Sequence, residues 1–212
     1  MNASVFQHFF GARSNDTYFY KWNRVIVRYC DGASFAGDAD KPDPVTNLYY
    51  RGARIFRAAV RDLMARGMED SSNVLLAGGS SGVMIHCDGF RRMFSAGVRV
   101  KCLADSSLFL HVKDPVRAKF FDTVFGTMVG MQHPGGALPT RRQTIAALPP
   151  ASARNGYILT SIFQRSLASG IGYKGPMFAD PKSKSFESAF LDWYFDRARV
   201  HLVDPADKPF VP

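Results

Sequence analysis

Val74 to Phe94 reads VLLAGGSSGVMIHCDGFRRMF, and this stretch decides the fold. Its first four residues are a short apolar run, its centre is Gly78-Gly79-Ser80-Ser81-Gly82, and its second half has apolar groups at helical spacing. An apolar run with no polar alternation is expected of a strand covered on both faces. The sequence therefore predicts a strand over Val74 to Ala77, a tight glycine turn, and a helix from about Val83 to Phe94. The pattern G-x-S-x-G between strand and helix is a nucleophile elbow: glycines on either side let strand and helix approach without Cβ clashes, and the serine hydroxyl stands at the carboxyl end of the sheet. In that geometry Ser80 is a candidate nucleophile. The Ser81 N–H, with the dipole of the following helix, faces the developing oxyanion. A flexible turn or a phosphate cradle uses similar residues, but the lysine of a P-loop is missing.

The flanks extend this unit into a layered domain. Val98 to Ala104 reads as a second buried strand, and Leu48 to Arg66 as an amphipathic helix stopped by Gly67. Arg24 to Tyr29 (RVIVRY) alternates basic and apolar groups, the pattern of a further strand, and Asp31 to Pro44 is a turn-rich loop. Downstream, a helix is expected over Phe120 to Met131, a loop over Gly135 to Pro150, a strand over Tyr157 to Thr160, and an amphipathic helix through Phe186, Phe190, Trp193 and Tyr194. Strands and helices alternating over short links give α/β as the fold class, with a mostly parallel sheet flanked by helices. One domain over 1–212 is expected, with 1–21 irregular and 200–212 a solvated tail.

Composition narrows the partners. With 46% hydrophobic, 21% charged and 13% aromatic residues, the chain has the apolar groups a core needs. A net charge of +9 favours polyanions, and acidic polysaccharide fits better than nucleic acid, because the 27 Lys and Arg are scattered and accompany no nucleic-acid motif. Cys30, Cys87 and Cys102 lack chelating spacing, so no metal site is expected; one disulfide plus a free thiol and three thiols remain equally open. Met1 to Gly11 has neither the basic start nor the cleavage site of a signal peptide, and no apolar run is long enough to span a bilayer.

Five ordered blocks then resemble the pectin acetylesterase family, which includes the Notum-type deacylases: WNRVIVRYCDGASF at 22–35, NLYYRGARIF at 47–56, HCD at 86–88, KCLADSSLFLHVK at 101–113 and LDWYFDR at 191–197. The resemblance implies an α/β-hydrolase-like sheet and a cofactor-free esterase secreted to the cell wall. Such an enzyme removes acetyl groups from pectin galacturonan through a Ser, Asp and His triad, and Ser80 inherits the nucleophile role. The departures matter as much. Gly79 replaces the cysteine of the family's GCSAGG-like elbow, and the stretch from the elbow to HCD is about three residues shorter, which in a helix displaces the downstream residues by about 4.5 Å. The LEGGGWC-like oxyanion strand lies upstream of the first residue, and the triad Asp has no counterpart between His111 and Arg154. The family's catalytic His falls on Arg165 of NGYILTSIFQRS, a group that stays protonated and cannot act as base. His86, His111 and His133 read as structural or solvent-facing, Asp105 is the best-placed carboxylate, and the matched blocks beyond the elbow carry no chemistry of their own. Two alternatives remain: an inactive relative that binds acidic polysaccharide, and a truncated form of an active esterase.

Overall fold

A computed structural model of the chain describes residues 18–79, 82–105, 115–132, 157–160 and 184–198. Its elements run α1 (Gly52–Ala65), a 3-10 turn (Met68–Asp70), β1 (Asn73–Gly79), α2 (Gly82–Arg91), β2 (Arg99–Asp105), α3 (Pro115–Gln132), β3 (Tyr157–Thr160) and α4 (Phe186–Tyr194). The described strands form one sheet in the order β1-β2-β3. All its pairings are parallel, with Asn73 opposite Arg99, Gly79 opposite Asp105, and Cys102 opposite Tyr157. This is the α/β architecture expected, with a helix crossing over between each pair of successive strands.

Burial of both sheet faces explains why β1 carries no polar alternation. Val74 and Leu76 lie on the side of Phe56, Val60, Phe90, Phe94 and Val100, where α1 and α2 pack. Leu75 and Ala77 lie against Phe19, Leu103, Phe190 and Tyr194 on the other side. A strand with two covered faces has no solvent side on which to place charge. On the second face, Phe19, Phe190 and Tyr194 are almost wholly buried. Each such aromatic side chain stabilises the fold by about 1.5–3 kcal/mol through burial.

Local chemistry sets the helix ends. Gly67 stops α1 with φ of +98°, a left-handed conformation that costs glycine little. Ser185 caps α4, its side chain accepting a hydrogen bond from the Ser188 N–H at 3.1 Å. Helix α1 begins at Gly52, four residues beyond the expected start at Leu48. The preceding residues are committed to the loop, where Ala39 N–H bonds Tyr50 O and Asp43 N–H bonds Leu48 O, both at 2.9 Å. Helix α3 extends from Pro115, earlier than the apolar spacing from Phe120 implies, consistent with proline being well tolerated in a first helical turn. No helix among the described residues is long and apolar enough to cross a membrane.

One expected element does not form. Arg24 to Tyr29, read as a strand, pairs with no described strand, and Val25 and Ile26 are 59% and 73% exposed. Alternation specifies a strand only where a neighbour supplies backbone partners and an apolar surface. Here Trp22 packs with the Leu75 and Ala77 face and Phe35 with the Leu76 face, so the chain between them passes from one side of the sheet to the other.

The loop that comes next is tied to the helices. Arg54 pairs with Asp38 and Asp40, Arg57 with Asp38 at 3.0 Å, and Gln132 at the end of α3 donates to Asp31 O at 2.8 Å. Gly52 is the tightest point: a Cβ built on it meets Asp31 Oδ2 at 1.5 Å and Phe35 Cα at 2.7 Å. Gly52→Ala is therefore expected to cost about 1–3 kcal/mol, the range for overpacking. Urea denaturation measures this, and Asp31→Ala in the same chain should recover part of the loss because the two substitutions share one contact.

Candidate active site

Strand β1 ends at Gly79 and helix α2 begins at Gly82, so the two elbow serines fall between a strand end and a helix start. Ser80 and Ser81 themselves lie outside the described residues, as do Arg165, His111 and His133. The flanks give the local setting. Gly78 comes close to the helix it feeds, since a Cβ on it would stand 3.3 Å from Val83 Cγ2, and Val83 is buried. Helix α2 is continuous from Gly82 to Arg91 despite the shortening relative to the family pattern.

Register fixes which residues stand beside the elbow. Asp105 is the partner of Gly79 across β1 and β2, and of Thr160 across β2 and β3. The acidic residue singled out from sequence is thus the strand neighbour of the residue preceding Ser80, at the carboxyl edge of the sheet. Parallel α/β sheets place their chemistry at that edge, where strand ends and helix starts leave a crevice.

Cysteine chemistry, left open by the sequence, is resolved. Cys87 of α2 and Cys102 of β2 form a disulfide with Cα atoms 6.1 Å apart, and Cys30 is an exposed thiol. The disulfide is buried against Val83 and Ala104, so it fastens the helix that follows the elbow to the neighbouring strand.

The loop from Asp31 to Phe35, to which sequence reasoning assigned no chemistry, lies against the start of the same helix. A Cβ on Gly82 would be 3.2 Å from Ser34 O, so the loop backbone and the first residue of α2 are in close approach. Ser34 and Phe35 both have positive φ, 55° and 60°, and Gly32 has 80°. Non-glycine residues rarely hold that conformation, and it persists where surroundings over-determine it. Here the surroundings are identifiable: Ser34 N–H donates to Tyr29 Oη at 2.7 Å, and His86 donates from Nε2 to Phe35 O at 2.8 Å. The only sequence signal was Asp31-Gly32 after an apolar run, which marks a turn and not its neighbour.

His86 is a packed group, as the sequence implied. Its ring stacks on Phe56 at 4.4 Å between centroids. Burial holds the imidazole below its ordinary 6.5, with Arg57 acting in the same direction and the backbone of Phe35 and Ser34 and the Asp31 carboxylate opposing. Its hydrogen bond to the Phe35 carbonyl requires a proton on Nε2 of the neutral ring. An imidazole that is neutral when folded and free to charge when unfolded makes the unfolded chain bind more protons at acid pH. Stability from this group is complete above about pH 6.5 and is lost as pH falls below it. Thermal midpoints between about pH 5 and 7 are expected to rise with pH, and His86→Leu should flatten that slope.

Asp31 is the buried acid of the region, 6% exposed, and neither carboxylate oxygen has a described hydrogen-bond partner. It lies at Gly52, the first residue of α1, at the positive end of that helix's dipole.

Comparison with known proteins supplies the context. Residues 3–150 match the family described as Pectinacetylesterase. Pectin acetylesterase 7 of Arabidopsis thaliana is 39% identical over 132 residues, covering 61% of this chain and 34% of that protein. Pectin acetylesterase 4 of the same plant is 36% identical over 138 residues, covering 58% and 34%. Human palmitoleoyl-protein carboxylesterase NOTUM is 30% identical over 115 residues, covering 50% and 23%. The chain therefore spans about a third of the length of the plant relatives it matches.

Proposed function

Because this chain belongs to the pectinacetylesterase family, we propose that it carries the nucleophile half of a serine carboxylesterase acting on acetylated pectin. The observation that supports this most is the position of Ser80 in the short link between strand and helix: Gly79 ends β1 and Gly82 opens α2. A serine on such a bend attacks an acetyl carbonyl through Oγ and loses its proton to a base. The tetrahedral intermediate then expels the sugar oxygen, which takes up a proton, and water cleaves the acetyl-enzyme to release acetate. The Ser81 N–H and the α2 dipole stabilise the oxyanion of each step. Arg165 cannot accept the proton, so the base is a residue other than the one at the family's His position.

The net charge of +9 matches a galacturonan backbone, whose carboxylates draw a cationic surface by long-range attraction. The Cys87–Cys102 disulfide agrees with an oxidising compartment such as the cell wall. The test is acetate release from acetylated pectin by the purified chain, compared with Ser80→Ala. Release above the variant supports the esterase.

Arg165 favours a second reading, a relative that binds acidic polysaccharide without turnover. Retention on a polygalacturonate column at low salt, with no acetate released, supports it. Retention should weaken with salt in either case, since exposed charges are screened over about 10 Å at about 0.1 M.

A further inference from the structure

We propose that His86 is a positioning residue for the serine elbow, acting through the Phe35 carbonyl to hold the Ser34–Phe35 turn against the first residue of α2. This inference rests on the acyl-transfer reading of Ser80 and adds to it a residue that the family's Ser, Asp and His roles do not include.

Two contacts link α2 to the turn. His86 lies on α2, four residues beyond Gly82, about one helical turn from the helix start. From there its Nε2 reaches back across the loop to Phe35 O at 2.8 Å. The adjacent carbonyl, Ser34 O, is the atom that approaches Gly82, where a Cβ would stand only 3.2 Å away. The hydrogen bond and the close contact therefore act on neighbouring peptides of one turn. Together they fix the gap between that turn and the start of α2 at Gly82.

The turn does not hold this shape by local preference. Consecutive positive φ values at Ser34 and Phe35 are unfavourable for residues with a Cβ, so an outside clamp is required. Phe56 supports the His86 ring by stacking, and Phe35 packs edge-on against Tyr29 at 5.3 Å, which closes the clamp from both sides. Released from it, the turn relaxes toward negative φ and the Ser34 carbonyl moves relative to Gly82. Catalytic geometry is sensitive to such shifts: a displacement of about 1 Å costs about 100-fold in rate.

The experiment compares the rate of covalent labelling of Ser80 by a fluorophosphonate in the wild-type chain, His86→Gln, His86→Leu and Gly82→Ala, each well below its thermal midpoint. Glutamine keeps an N–H donor for Phe35 O, whereas leucine keeps volume against Phe56 without a donor. The expected result is labelling slowed about 100-fold in His86→Leu, largely restored in His86→Gln. Gly82→Ala, which keeps the hydrogen bond but pushes on Ser34 O, should be slowed to a lesser degree and also serves where His86→Leu does not fold. Equal rates in the wild type, His86→Leu and Gly82→Ala overturn the inference while leaving the acyl-transfer reading intact. Equal slowing in His86→Gln and His86→Leu overturns it too, because the ring and not the hydrogen bond would then matter. A wild type that does not label overturns the acyl-transfer reading and this inference with it.

Discussion

Ser80→Ala is expected to abolish labelling by a fluorophosphonate and to lower acetate release on the order of 10⁶-fold, with little change in thermal stability. The reagent phosphonylates only serines whose hydroxyl is activated, so labelling reports the nucleophile independently of the sugar substrate. The magnitude reflects the way acyl-transfer groups act as a unit, in which loss of the nucleophile alone removes nearly the whole rate enhancement. Stability should change by no more than about 0.5 kcal/mol because the substitution deletes a single hydroxyl oxygen. Peptide mapping of the labelled wild type should place the adduct on the segment containing Ser80. Absent labelling in the wild type and the variant alike would count against the esterase and for the binding-only relative that Arg165 favours.

The second large effect is expected from the disulfide. Cys87 and Cys102 are 15 residues apart in sequence and wholly buried, joining α2, the helix that follows the elbow in sequence, to β2. Closing a loop of that length restricts the unfolded chain by about 3 kcal/mol in the chain-entropy account. Replacing both cysteines with alanine should therefore lower the thermal midpoint by roughly 6–12 °C, given about 2–4 °C per kcal/mol for a protein of this size. Cys30→Ser is the control: the thiol is exposed and unpaired, and its replacement should leave the midpoint unchanged. A double variant as stable as the wild type would show that the tie between helix and strand does not restrict the unfolded ensemble. Loss of Ser80 labelling in the double variant at a temperature where it remains folded would extend the role of the tie from stability to the setting of the elbow.

Both effects centre on the same few residues, and they differ in how far sequence alone reaches them. The strand, turn and helix around GGSSG were legible because each carries its own local signal. An apolar run of strand length, glycines that permit close approach, and a three- and four-residue apolar spacing do not depend on distant partners. β2, β3, α1 and α4 were legible for the same reason, with ends displaced by a few residues where capping or loop hydrogen bonds intervened. The Arg24 to Tyr29 strand failed because its signal is half of a two-body property. Alternation describes one side of a pairing, and no described strand supplies the other.

The candidate site divides along the same line. Ser80 is proposed from the spacing of GGSSG. The approach of the Asp31–Phe35 turn to Gly82 was not, because it joins residues some fifty positions apart through a carbonyl and an imidazole, and neither residue type is diagnostic in sequence. The partner of Cys87 was equally hidden, since three cysteines permit any pair and only the distance between Cα atoms selects one.

The residues by themselves determined the alternation of parallel strands and crossing helices, the serine at one strand end, and the cationic balance of the chain. These are properties of neighbouring residues and of sums over the chain. Only the tertiary structure decided which thiols join, which acid is buried with no hydrogen-bond partner among the described residues, and which loop presses on the helix that follows the serine. Those depend on distances between segments remote in sequence, fixed when burial of both sheet faces brings α1, α2 and the turn onto one side of β1 and β2.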